Sequence, residues 1–111
     1  MKNDPVYLQH IRDAAARILD YTSGGRAAFE RDSKIQDAVI RNLEIIGEAV
    51  KHLSENFRKT YPEVPWKRIA GMRDELIHEY FGVDLEIVWN AVERDLPALK
   101  KKIEQFLKER S

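Results

Sequence analysis

The chain has 111 residues, 43% of them hydrophobic, with nineteen Lys plus Arg set against nineteen Asp plus Glu. That length and apolar content suit a single domain, residues 1–111, around one core, and zero formal charge excludes a whole-molecule field that gathers nucleic acid or anionic membrane. The absence of cysteine excludes disulfides, thiolate catalysis and Cys-based zinc sites and suits a reducing cytoplasm. Charges interrupt the first residues before any signal-peptide core, and nowhere do about 18 apolar residues run together, so a soluble chain with no membrane partner is expected.

In chain order, Asp4 and Pro5 predict an N-cap and first turn, followed by Tyr7, Ile11, Ala14 and Ile18 at helical spacing. This helix should close at TSGG, where Gly24 and Gly25 can adopt the left-handed conformation. After a short RAAFERD segment, Ser33 is the expected cap of a long helix bearing Ile35, Val39, Leu43, Ile46, Val50, Leu53 and Phe57. The two prolines of TYPEVP break that pattern into an ordered loop. A third helix is expected from Trp66 to about Tyr80, softened at Gly71, where the missing side chain would let another backbone approach. Asp84 then caps a last helix with the row Leu85, Val88, Val92, Leu96, Leu99, Ile103 and Phe106, and Pro97 predicts a bend within it. No strand-like alternation occurs. The expectation is an all-α bundle of four to five helices in up-and-down antiparallel packing, with two near-heptad rows that serve equally as core or as a seam for a second copy.

The stretch GMRDELIHEYFGVD concentrates Arg73, His78 and Tyr80. At about 100° per residue, Arg73 and Tyr80 share a stripe, whereas His78 lies about 140° from Arg73, so one straight helix does not gather all three. Asp74 and His78, four apart, face each other as a carboxylate and the imidazole it can orient. Such a set suits metal-free cleavage of RNA: the imidazole moves the proton of the 2′-hydroxyl or leaving oxygen, and the guanidinium steadies charge on phosphorus. One histidine carries one proton, so an acid–base pair needs a second copy or water. By residue type alone, the polar side of a bundle helix is the commoner explanation.

MRDELIHEYFGVD resembles the R-x-x-x-x-H-x-Y signature of the HepT-like branch of the HEPN superfamily, ribonuclease toxins paired with minimal nucleotidyltransferase antitoxins. IQDAVIRNLEIIGEAVKHLS, YPEVPWKRIAGMRDELIHEYF and DLEIVWNAVERDLPALKKKI resemble family segments in the same order, from about Tyr7 into the last helix. The resemblance implies a HEPN-like helical bundle that forms a homodimer, and a metal-independent, cofactor-free endoribonuclease site where two motifs meet. It also implies transfer or messenger RNA as substrate, 2′,3′-cyclic phosphate products, and a cognate nucleotidyltransferase antitoxin as partner. Arg73 and His78 match the catalytic pair. Tyr80 matches the tyrosine that the nucleotidyltransferase modifies with AMP, a modification that places anionic phosphate beside Arg73. Asp74 departs from the family, which often has asparagine there; its carboxylate can orient His78 but also repels RNA phosphate.

Asp37, Arg41, Glu44 and Glu48 follow at three- and four-residue steps, read either as a solvated face with intrahelical ion pairs or, for Asp37 and Arg41, as supports of a dimer site. The histidines His10, His52 and His78 show no metal-ligand spacing. Trp66, Trp89, Phe29, Phe57, Phe81 and Phe106 are read as packing, and Lys100, Lys101, Lys102 and Lys108 as helix-terminal cations or, with Lys67 and Arg68, as RNA-backbone contacts. The rival to an enzyme is a non-enzymatic helical partner or nucleotide-binding module for a nucleotidyltransferase.

Overall fold

Pro5 occupies the first turn of α1 (Asp4–Tyr21), where its missing N–H costs nothing. In the computed structural model, which describes residues 3–77 and 84–110 apart from the side chains at 73, 75–77 and 110, the expected capping role of Asp4 is corrected. The N-cap is Asn3, and Asp4 lies inside the helix, 3% exposed. Its carboxylate instead accepts from the backbone N–H and the hydroxyl of Ser54, at 2.8 and 2.7 Å. At the other end, the Thr22 hydroxyl donates to the Ile18 carbonyl, and Gly25 alone takes a left-handed φ, +88°; Gly24 stays at −77°. Gly25 opens α2 (Gly25–Arg31).

The cap of α3 (Ser33–His52) is Asp32, which accepts from the Lys34 N–H; Ser33 is the first helical residue. The long helix expected to reach Phe57 is broken at Leu53, because Ser54 starts a new one: its hydroxyl accepts from the Phe57 N–H, capping α4 (Glu55–Thr60), while its own donors go to Asp4. TYPEVP is the expected loop. It leads into α5 (Trp66–Ile77), which runs without interruption through Gly71. A side chain at Gly71 would meet nothing within 4 Å among the described residues, so none of their backbone approaches there. The expected last turn of this helix, to Tyr80, lies outside the described residues.

Asp84 caps α6 (Leu85–Asn90) as expected, accepting from the Glu86 N–H at 2.9 Å. The disturbance expected from Pro97 appears as a π-helical turn (Ala91–Asp95) just before it: Leu96 N–H bonds back to Ala91, five residues earlier. A proline ring in tight α geometry would crowd the carbonyl of Glu93, and the wider turn takes up that conflict. Helical dihedrals continue through Leu96 into α7 (Leu96–Arg110), so α6, the π turn and α7 form one rod.

Among the described residues there is no strand, and the architecture is the expected all-α bundle. Contacts pairing 4 with 54, 7 with 52 and 17 with 42 show that α1 and α3 are antiparallel. Glu63 with Lys102 and Arg68 with Asp95 show the start of α5 descending against the C-terminal rod. Both apolar rows are spent inside one chain: Val39, Leu43, Ile46 and Val50 of α3, and Val88, Val92, Leu96, Ile103 and Phe106 of the C-terminal rod, are each at most 3% exposed. They are core, not a seam for a second copy.

Candidate active site

The helix carrying the signature is anchored at its start. The Trp66 indole N–H donates to the Tyr61 carbonyl at 2.9 Å, and its ring lies among Phe57 and Phe106, themselves 5.6 Å apart edge to face. Burial of these three rings, with Ile69 one turn on, fixes the direction in which α5 leaves the core. Trp89 packs on Phe29 at 5.3 Å, so Trp66, Trp89, Phe29, Phe57 and Phe106 are packing, as expected; Phe81 is outside the described residues.

Arg73 and Asp74 sit in the last two turns of α5. The Arg73 side chain, and His78 and Tyr80 altogether, lie outside what is described, so their meeting where two motifs converge is what the family resemblance implies. Asp74 is placed: its carboxylate accepts from the Lys51 ammonium of α3 at 2.5 Å, in a pair 46% and 37% exposed. Lys51 therefore offsets the negative charge that Asp74 sets beside Arg73. Sequence reasoning did not find this cation, because the pair spans 23 residues and nothing local marks it.

Asp37 and Arg41 are exposed on α3. Counting 1.5 Å per residue, Asp37 is about 21 Å and Arg41 about 15 Å along the axis from Lys51, so within one chain they do not share the Asp74 end. Arg41 reaches Glu44 at 3.8 Å, one of the intrahelical pairs expected of a solvated face. Of the C-terminal lysines, Lys100 bonds Glu104 at 3.0 Å and Lys102 approaches Glu63 at 3.9 Å. Arg68 pairs with Asp95 at 3.2 Å, which leaves less of that run to bind RNA.

A groove of about 740 Å³ separates α5 from the C-terminal rod, floored by Leu43, Ile46 and Ile69. Among the described residues no histidine lines it, while Glu63, Arg68, Arg94 and Asp95 stand at its rim. Among the described residues no three His, Asp or Glu side chains gather as a cation site, and no helix is long and apolar enough to cross a membrane.

The all-α bundle, with Arg73 and Asp74 late in α5, defines a helical protein whose motif begins within that helix. Residues 11–106 match the family model described as ribonuclease HepT-like. A protein of Caldanaerobacter subterraneus subsp. tengcongensis that bears an RNase name is 44% identical over 108 residues, 96% of each chain. The "Probable ribonuclease HepT" of Thermococcus cleftensis is 47% identical over 105 residues, 92% of this chain and 94% of that one. No solved structure matches. The chain belongs to the ribonuclease HepT-like family, and its class of activity is that of an RNA-cleaving enzyme.

Proposed function

We propose that this chain is a metal-independent endoribonuclease toxin of a HEPN and nucleotidyltransferase toxin–antitoxin pair, acting as a cytoplasmic homodimer of one-domain protomers on transfer or messenger RNA. Arg73 holds the scissile phosphate and stabilises the charge that builds on it, and His78 moves the proton of the 2′-hydroxyl or of the leaving oxygen. Attack by the 2′-oxygen on phosphorus expels the 5′-oxygen and leaves a 2′,3′-cyclic phosphate. Each linkage takes Arg73 from one copy and His78 from the other, and water is the second proton carrier. Asp37, about 21 Å along α3 from Lys51, supports the site from across the dimer.

The single observation that carries this reading is the Lys51–Asp74 pair. An aspartate beside Arg73 would otherwise counter the guanidinium's hold on phosphate; with Lys51 against it, the local charge again favours an anion. Tyr80 is the point of control: AMP added there by the antitoxin sets a phosphate where the RNA phosphate must bind.

RNA cleavage by wild type and His78→Ala, with and without EDTA and with end-group analysis, tests the proposal. Expected are cyclic phosphate ends, indifference to EDTA, and a loss of about 10²-fold or more in His78→Ala. Undiminished cleavage by His78→Ala, or activity abolished by EDTA, would overturn it.

A further inference from the structure

A second cleft, about 310 Å³, lies between α1 and α3; Tyr7, His10, Arg41, Glu44, Glu48 and His52 are among the described residues that line it. The rings of Tyr7 and His52 stack nearly parallel, 14° apart with centroids at 5.1 Å, and His10 stands tilted beyond Tyr7 at 6.3 Å. Glu48 holds the His52 ring through Nε2 at 3.1 Å. The Arg41 side chain is 72% exposed and only grazes Glu44, so its fork faces solvent.

These groups match the parts of a nucleotide. A stacked imidazole and phenol offer a platform for a base, which needs no particular sequence because every base has a π-face. The Glu44 and Glu48 carboxylates accept from exocyclic amino groups, which adenine, cytosine and guanine possess and uracil lacks. Arg41 supplies the planar donor for a phosphate. The volume is at the small end of ligand sites, roughly 300 to 1,000 Å³, and suits one nucleotide unit. One end of the cleft lies level with the Asp74 end of α5: His52 follows Lys51, whose ammonium bonds Asp74.

We propose that Tyr7, His52 and Arg41 form a subsite seating one nucleotide of single-stranded RNA next to the scissile linkage, with Glu48 orienting His52; its place beside the cut rests on the ribonuclease reading above. These are positioning residues. They hold the strand while Arg73 and His78 act on it.

The test is fluorescence anisotropy of labelled single-stranded RNA oligonucleotides with wild type, His52→Ala and Arg41→Ala, both at exposed positions. His52→Ala should raise Kd by about 5- to 100-fold, the loss of one stacked base. Arg41→Ala should weaken binding and flatten its salt dependence. Oligouridine should bind less tightly than oligoadenosine. In cleavage assays, the loss in His52→Ala should fall on KM rather than kcat, which a merely structural role would not produce. Wild-type affinity in both variants overturns the subsite even if RNA is cut. Displacement of the RNA by free adenosine monophosphate, at concentrations near the RNA's own Kd, assigns the cleft to free nucleotide and overturns it too. Wild type that binds as expected but cuts nothing supports the subsite and removes the nuclease reading instead.

Discussion

The seam between α1 and α3 and the seam between α3 and α5 use opposite kinds of polar contact. The first is closed on buried acceptors: Asp4, 3% exposed, accepts from half-buried Ser54 just past α3, and Asn42, 6% exposed, accepts from the exposed Arg17 guanidinium at 2.8 Å. The second ends in Lys51–Asp74, more than a third exposed on both sides. Buried charge-assisted bonds resist salt and cost stability when one partner is lost, whereas an exposed pair is worth about 0 to 1 kcal/mol and is screened. The α1–α3 seam is thus fixed by buried acceptors, and the Asp74 end of α5 is held by a contact that salt screens.

The largest effect should come from Phe57→Ala, which removes a ring that packs on Tyr61, Trp66 and Phe106. A loss of about 3 to 5 kcal/mol is expected in denaturant unfolding, because the cavity loosens the start of α5 from the core. Asp4→Ala should cost about 1 to 2 kcal/mol by taking the acceptor from both half-buried Ser54 donors. Burial pushes the Asp4 carboxyl up, but the Ser54 hydroxyl and N–H outweigh it and hold the carboxyl below the usual carboxylate range. A depressed folded-state pKa gives stability that is complete above the ordinary value of about 3.9 and lost as pH falls through the lower folded value. The gap between wild type and Asp4→Ala should therefore stay constant near neutrality and narrow only in stronger acid. Lys51→Ala should change stability by less than about 1 kcal/mol, yet lower kcat/KM roughly 5-fold at low salt by leaving Asp74 to counter Arg73. The double variant Lys51→Ala/Asp74→Asn should recover most of that loss; failure to recover would mean the lysine acts otherwise.

What was legible in the sequence was local or periodic. The Asp84 cap, the TYPEVP loop and the core row from Val88 to Phe106 each follow from residues within one or two turns of each other. Asp4 was misread because its position before Pro5 fits a cap, while its partner is 50 residues away. The same distant bond explains the break at Ser54: apolar spacing continues smoothly to Phe57, but the serine is taken by Asp4 and restarts the helix. Ser33 and Asp32 are both good caps, and only the extended backbone of Asp32 decides between them. The signature residues were legible as a pattern. The Lys51–Asp74 pair and the Tyr7–His52 cleft were not, since both join helices whose facing sides only packing determines.

The central claim is that Arg73 and His78 of different copies serve one linkage. Mixing Arg73→Ala with His78→Ala after co-refolding, each inactive alone, measures it. If the site is shared across a two-fold dimer, random pairing should restore roughly a quarter of wild-type RNA cleavage, since half the dimers are mixed and each keeps one intact site. A mixture as inactive as its components, with mixed dimers confirmed by mass, would contradict it.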